Sequence, residues 1–288
     1  MNMKAIKTLK VLSAIVAILM PCSCSHAKKP ATANTNKTIE GVTVQKIGSD
    51  ITLIAINDNA GEKRMPNSLF YGNSDKAEVD RLSPAGSVPS SISCFIVETD
   101  GKKILFDTGN GASRGGKLIE RMKAAGINPA DIDILMITHF HMDHIGGMTQ
   151  DGKPVFTNAE VYVPEKEYAA WSAMSGNSAK EAINIIDVYK KRLHRFTYQE
   201  AMPLDVKALP APGHTPGHTI YQIGKLLVVG DLMHGFDLQM QDLNICPDYD
   251  MDRKQAIESR KKYVDYAKQN KLTVAGMHFP ASGVKNSL

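Results

Sequence analysis

Cysteine is scarce in this sequence. Its 288 residues hold four, and two of them, Cys22 and Cys24, fall within the first 27. That leaves Cys94 in "SISCFIVE" and Cys246 before a proline, too few for a disulfide framework and far enough apart to give little ground for a bridge. A run long enough to span a bilayer is also lacking. The largely apolar run of ten, Val11–Met20, falls short of the roughly 20 a membrane helix needs. An excess of one charge is missing too. The 34 basic residues drop to 31 once Lys4, Lys7 and Lys10 are set aside, against 30 acidic ones, a balance of about +1. The sequence pI of 8.7 therefore comes mostly from the N-terminus, and no basic face for nucleic acid is implied. No short-period repeat is present.

The N-terminus, a basic start followed by that short apolar run, reads as an export signal covering residues 1–27. Two endings stay open. Cys22 or Cys24 could be the lipid-modified first residue of a lipoprotein, although the residues before each fit that pattern poorly. Ser25-His26-Ala27 offers the small-x-small end of an ordinary signal. The expected location is therefore exported, either periplasmic or lipid-anchored at the cell envelope. Residues 28–38, "KKPATANTNKT", read as a polar tether, and about 250 residues from 39 to 288 suit one domain with a full core.

Within that domain, "GVTVQKIG" and "ITLIAIN" read as paired strands, and residues 58–90 as a long, turn-rich loop. "ISCFIVETDGKKILFDTG" reads as a hairpin turning at Asp100-Gly101. Helices are expected over Arg114–Ala125, "PEKEYAAWSAM", "SAKEAINIIDVYKKRL" and Asp252–Asn270, the third with Ile183, Ile186 and Leu193 on one side. "DILMIT", "VYVP", the two halves of "YQIGKLLVVGD" and a last "LTVAGMH" read as strands. Strands alternating with helices favour an α/β fold.

The feature that stands out is "THFHMDHIGG", which gathers His139, His141, Asp143 and His144 from a total of nine histidines. At a strand end, residues i and i+2 point the same way, so His139 and His141 can face one point. Two neutral imidazoles suit a borderline metal such as zinc. "PGHTPGH" supplies a third ligand, His214, aimed by its flanking prolines and glycines. Asp143 and His144 are redundant unless a second metal exists. His278 in "GMHFP" would complete that second site, and Asp231 at the end of "LLVVGD" can bridge the two ions. A structural metal site fits less well, because structural zinc favours cysteine and a closed shell. His26 and His194 read as surface or satisfied polar residues.

"THFHMDH" with "GHTPGH", "GD" and a late His before Pro resembles the metallo-β-lactamase superfamily, from about Gly41 to the C-terminus. The resemblance implies a four-layer αβ/βα sandwich, two mixed β-sheets flanked by helices, with a metal site at one sheet edge. It implies a first metal on His139, His141 and His214, a second on Asp143, His144 and His278, and Asp231 between them. The ions would be zinc, with iron or manganese as the other candidates. "MPNSLFYG" and "GDLMH" look most like the branch of N-acyl homoserine lactonases and methyl parathion hydrolase. True β-lactamases generally lack the bridging aspartate, so Asp231 tells against that activity. Those lactonases carry a tyrosine three residues after the aspartate. His234 stands there instead and tells against quorum-quenching activity, although it could also donate a hydrogen bond.

The function this implies is a binuclear metal-dependent hydrolase. A metal-bridging hydroxide would cleave an ester, lactone, or related acyl or phosphoester bond of a small molecule, with Asp143 as proton relay. Asp107 in "LFDTGNG" is a candidate to orient a ligand imidazole, and His218 either does the same or packs. Residues 58–90 and Glu165–Asn177, with Trp171, are expected to line the pocket. Partners would be a small-molecule substrate, no nucleic acid, and a membrane only through an N-terminal lipid; a homodimer stays open. The rival readings are an iron-binding redox member of the fold and a non-catalytic exported binding protein.

Overall fold

A computed structural model describes residues 39–288; the expected export signal, tether and His26 lie outside the described residues. The first half of the domain runs β1 (Val42–Ile47), β2 (Ile51–Asn57), β3 (Lys63–Pro66), α1 (Lys76–Leu82), β4 (Ser87–Ser90), β5 (Ser93–Thr99), β6 (Lys102–Phe106), α2 (Leu118–Ala124), β7 (Ile134–Met136) and α3 (Met142–Ile145). The short pair β8 (Thr149–Gln150) and β9 (Lys153–Pro154) follows, then β10 (Glu160–Pro164), α4 (Glu165–Ala173), α5 (Asn177–Asp187) and β11 (Leu193–Phe196). The second half holds β12 (Lys207–Pro210), β13 (Thr219–Ile223), β14 (Leu226–Val228), α6 (Phe236–Gln239), α7 (Arg253–Asn270), β15 (Thr273–Ala275) and β16 (Val284–Lys285).

Two mixed sheets result. The larger has the order β1-β2-β5-β6-β7-β10-β11, antiparallel from β1 to β6 and parallel from β6 to β11. The smaller runs β12-β13-β14-β15-β16, with only β14 and β15 parallel. Alternation along the smaller sheet builds the layers. Tyr221, Ile223, Leu226 and Val228 join the core of the larger sheet, while Ile220, Leu227 and Val229 pack with Tyr263, Val264 and Ala267 of α7. Leu118 and Met122 of α2 and Ala182 and Ile186 of α5 belong to the larger sheet's core. The expected αβ/βα sandwich is present.

Local sequence accounts for several boundaries. The hairpin β5/β6 turns at Asp100 (φ 48°) and Gly101 (φ 71°), both in the left-handed region that two-residue hairpin turns use. Helix α7 starts where the Asp252 carboxylate accepts from Gln255 N at 3.0 Å, and stops at Lys271 in a left-handed conformation. Its buried stripe, Ala256, Ser259, Arg260, Tyr263, Val264 and Ala267, keeps the helical repeat.

Some expectations need correction. Residues 58–90 are not one loop: they hold the β3/β4 hairpin and α1, capped by Asp75, over a small core of Met65, Phe70, Val79 and Val88. The helix expected over 178–193 is α5 and ends at Asp187. Leu193 belongs to β11, and Ala179, Ala182, Ile185 and Ile186 are the buried side. The helix expected from Arg114 begins at Leu118 after a short 3-10 turn, Ala112–Arg114, and β16 follows the strand expected to be last. Cys94 and Cys246 are both buried and unpaired. His194 is exposed, as expected, beside Glu160. No described helix is long and apolar enough to cross a membrane.

Candidate metal centre

The ends of β6, β7, β14 and β15 meet at one edge of the sandwich, and the turns leaving them carry the polar side chains. Beyond β7, His139 Nε2, His141 Nδ1 and His214 Nε2 converge, with separations of 3.0, 3.2 and 2.9 Å. Ligand nitrogens around one tetrahedral zinc stand about 3.3 Å apart, given bonds of about 2.0–2.1 Å. The three rings therefore have the spacing of a shared ion. Across the Asp231 carboxylate lies the second group, Asp143, His144 and His278. Asp231 Oδ1 is 3.1 Å from His144 Nε2, and its Oδ2 is 3.1 Å from His278 Nε2 and 3.3 Å from His214 Nε2. All seven residues expected as ligands are thus brought together.

Two orphaned atoms test whether metals fit. His144 Nε2 and Asp231 Oδ1 are buried with no hydrogen-bond partner. Leaving buried polar atoms unpaired costs about 1–3 kcal/mol each, and a cation between the two groups would satisfy both. The residues present therefore fit two divalent ions.

Each ring is oriented from behind. His144 Nδ1–H donates to Asp107 Oδ2 at 2.7 Å, which in the neutral ring makes Nε2 the inward lone pair. The same carboxylate accepts from Thr138 N (2.8 Å) and Thr138 Oγ1 (2.7 Å), and that hydroxyl lies 3.0 Å from His139 Nδ1. Asp107 holds these contacts from a left-handed backbone (φ 56°). His214 Nδ1–H donates to Asp250 Oδ1 (2.9 Å), and His278 Nδ1–H to Ser91 O (2.8 Å). His218 has both nitrogens occupied: Nδ1–H donates to Ala211 O (3.1 Å), and Nε2 accepts from Asp231 N (3.0 Å). It fixes the Asp231 backbone and touches no ligand imidazole by hydrogen bond.

The glycines of "PGHTPGH" are there for space. A Cβ on Gly213 (φ 132°) would strike Ala256 of α7, and one on Gly217 would strike Glu167 of α4. Glu167 itself is buried and accepts from Phe140 N (3.1 Å), Trp171 Nε1 (2.6 Å), Thr215 Oγ1 (2.9 Å) and Gly217 N (2.7 Å). One carboxylate so ties the "HFH" turn to the "HTPGH" turn. Arg260, also buried, gives Nε–H to Leu232 O (3.0 Å) and Nη1–H to Leu243 O and Ile245 O (both 2.9 Å), and lies 3.4 Å from Asp250 Oδ2. Sequence reasoning missed Glu167, Asp250 and Arg260. "EKEY" and "DYDMD" carry the composition of solvated segments, and only the tertiary contacts distinguish them.

Charge at the centre follows from burial and from the central carboxylate. Burial lowers His139 well below its ordinary value and His141 to about 3, with neighbouring imidazoles adding to the effect. Burial works against charge on His214 as well, but Asp231 and Asp250 raise it to about 9. His144 is raised well above its ordinary value against burial by Asp231, Asp107 and Asp143. Burial opposes ionisation of Asp231, yet His144, His278 and His234 hold its carboxyl well below the usual range. Burial keeps His234 neutral, at about 4.

Above the ligands opens a cavity of about 370 Å³, lined by Lys63, Met65, Leu69, His234 and Tyr249 besides the ligand residues. The β3 hairpin thus supplies a wall, as expected of residues 58–90. Glu165–Asn177 does not line it: Trp171 is buried with its ring edge-on to His141 at 5.6 Å. His234 Nε2 lies 3.0 Å from Asp231 Oδ2. A hollow of about 440 Å³ beside Thr108 and Gly146 is the larger space. It offers no converging ligand group among the described residues, and its buried Asp58 already accepts from Asn110 N (2.7 Å) and Leu118 N (2.9 Å). We therefore place the chemistry at the smaller cavity.

A sandwich with histidine and aspartate groups at this edge defines a class, and the family comparison agrees: residues 88–278 match the metallo-beta-lactamase superfamily, and the chain belongs to it. Among curated proteins it is similar to an N-acyl homoserine lactonase of Bacillus sp., 29% identical over 159 residues that cover 48% of this chain and 60% of the relative. Among solved structures it is similar to AidC, a dizinc quorum-quenching lactonase in complex with a product, at 26% identity and a TM-score of 0.77, covering 85% of this chain and 93% of that one. It is equally similar to the hydrolase AbOPH of the beta lactamase superfamily, at 27% identity and a TM-score of 0.77, covering 86% and 93%.

Proposed function

We propose that this protein is a metal-dependent hydrolase that cleaves an ester, lactone, or related acyl or phosphoester bond of a small molecule, with lactones and esters foremost. The observation that carries the reading is the pair of donor groups, His139, His141 and His214 on one side and Asp143, His144 and His278 on the other, sharing Asp231 beneath an open cavity. The similarity to a lactonase and to a dizinc lactonase structure supports it.

Two divalent ions held there, zinc foremost, would make a water nucleophilic at neutral pH and draw charge from the attacked bond. The chain's own part is placement. Asp107, Asp250 and Ser91 fix which nitrogen of His144, His214 and His278 faces inward. Asp143 is the most open carboxylate of the centre, its side chain 29% exposed, whereas that of Asp231 is 2% exposed. Burial opposes its ionisation, but His144 and His278 keep it below the ordinary carboxylate range. An ionised Oδ of Asp143 can take the proton of the attacking water and pass it to the leaving oxygen. His234 lines the cavity and, in this geometry, gives its Nε2–H to Asp231 Oδ2, steadying the shared carboxylate. Export by residues 1–27 belongs to the same proposal and rests on their sequence alone.

The test is purified protein assayed against lactones, carboxylic esters and phosphoesters, with metal content measured in parallel. We expect two zinc ions per chain and turnover of lactones or esters. Bound iron with visible absorption and no hydrolysis would favour the redox reading. Asp231→Asn and His141→Ala proteins that fold, lose metal and stay fully active would overturn the proposal.

A further inference from the structure

We propose that Tyr249 is a catalytic residue of this cavity, its phenolic O–H donating a hydrogen bond to the substrate oxygen that gains negative charge when the scissile bond is attacked. The proposal rests on the hydrolase reading above.

The first observation is a phenol without an adequate partner. Buried tyrosine hydroxyls normally find an acceptor, and the buried ones of this chain do, as does the half-buried Tyr266. Tyr189 donates to Met148 O at 2.6 Å, Tyr221 to Ile137 O at 2.7 Å, Tyr263 to Pro210 O at 2.7 Å and Tyr266 to Gln222 Oε1 at 2.7 Å. Among the described residues, the polar contact of the Tyr249 hydroxyl is the Met65 thioether, at 3.9 Å. A thioether is a weak acceptor, so the O–H is free to turn to a better one.

The second observation is where that hydroxyl is held. Tyr249 lines the same cavity as His141, Asp143, His214, Asp231 and His278. Its ring packs edge-on to His234 with centroids 4.7 Å apart, and to His214 at 6.0 Å. Its neighbours in sequence are pinned. Asp250 is buried on His214 and Arg260, while Asp248 N donates to Leu69 O (2.7 Å) and Asp248 Oδ1 accepts from Gly72 N (2.7 Å). A donor fixed beforehand by its surroundings needs no reorganisation when charge develops. Apart from the histidines, the other side-chain donor in the lining, Lys63, swings on a flexible four-carbon stem.

The third observation concerns His234. Its Nε2 is engaged by Asp231, and its Nδ1 is buried without a partner, so in this geometry it presents no donor to the cavity. Tyr249 supplies that missing donor from a different part of the chain. No bond to the phenol forms or breaks. The O–H keeps its proton, and its hydrogen bond strengthens as the substrate oxygen becomes anionic.

The experiment compares wild type with Tyr249→Phe, both zinc-loaded. It measures kcat and KM on an ester or lactone and, separately, calorimetric affinity for an alkyl phosphonate monoester, a stable mimic of the tetrahedral species. Losing a donor used only as charge develops should lower kcat about 10- to 100-fold with KM nearly unchanged. Phosphonate affinity should fall by a similar factor, with zinc content and Tm as in wild type. Unchanged kcat and unchanged phosphonate affinity would overturn the proposal, as would a loss that merely tracks lost zinc. If wild type binds the phosphonate but hydrolyses no substrate, the hydrolase reading fails while the affinity difference still reports on Tyr249.

Discussion

At Asp107 a left-handed backbone (φ 56°) and hydrogen bonds to Thr138 and His144 meet in one buried side chain. Burial pushes its carboxyl upward, while His144 and Thr138 pull the other way. Asp107→Asn separates the electronic role from the backbone one, because asparagine tolerates positive φ. The amide can still accept from Thr138, but an N–H₂ facing His144 Nδ1–H pairs donor with donor. The imidazole would then flip tautomer and lose its inward lone pair. We expect zinc affinity at the Asp143–His144–His278 group to fall about 10- to 100-fold, read by chelator competition as one tightly held ion per chain instead of two. Two ions retained at wild-type affinity would contradict this role. The inward-facing residues were legible because spacing alone puts His139 and His141 on one side of a strand end and leaves Asp143 and His144 in need of a second ion. Asp107 was legible as an aspartate that could orient a ligand imidazole. Asp250 was not, because what sets it apart from the other acids of "DYDMD" is its 2.9 Å contact with His214, a residue 36 positions away.

Among the elements, α4 illustrates how a helix expected in the right place can have a different task. Its span agrees with "PEKEYAAWSAM", yet it does not form the cavity wall. Instead Glu167, in its first turn, collects three donors from the turns on either side of the site and a fourth, Trp171 Nε1, from its own helix. Glu167→Ala would orphan Phe140 N, Thr215 Oγ1, Gly217 N and Trp171 Nε1 together. Each buried unsatisfied group costs about 1–3 kcal/mol, and partial access to water reduces the sum, so we expect a loss of roughly 3–5 kcal/mol in denaturant unfolding. His214 should move relative to His139 and His141 and weaken zinc binding at that group. A loss under about 1 kcal/mol would show that the two turns hold their spacing unaided. The same scale explains the misreadings. Strands of four residues, such as β3 and β4, are too short for periodicity to register, so residues 58–90 look like a loop. The "IIDVYKKRL" pattern runs past Asp187 because sequence periodicity carries no signal for where a chain must turn to enter β11 beside β10.

For the whole molecule, the α/β class could be read from strands alternating with helices, but the sheet order could not. Pairing β6 with β7 and β10 with β11 joins segments separated by helices, and nothing local encodes which neighbours meet. Closing that topology buries a histidine-rich cluster, and its consequence for stability depends on pH in opposite ways with and without metal. Consider the histidines of the metal-free protein. His141 and His218, at about 3, and His234, at about 4, refuse in the folded state protons that the unfolded chain takes near 6.5, so stability falls as pH drops below about 6.5. His214 behaves in the reverse sense. Its folded value of about 9 exceeds the unfolded one, so its contribution is complete below about 6.5 and is lost as pH rises towards 9, with His144 and His278 shifted in the same direction. Metal-free protein should therefore show a Tm maximum near pH 6.5. Zinc needs His214 deprotonated, so binding in this window displaces a proton and tightens as pH rises. The gap in Tm between zinc-loaded and metal-free protein should widen steadily from pH 6.5 to 9. Calorimetric scans of both forms across that range would measure it, and a gap that stayed constant or narrowed would show that the His214 Nε2 proton facing Asp231 is not the one zinc displaces.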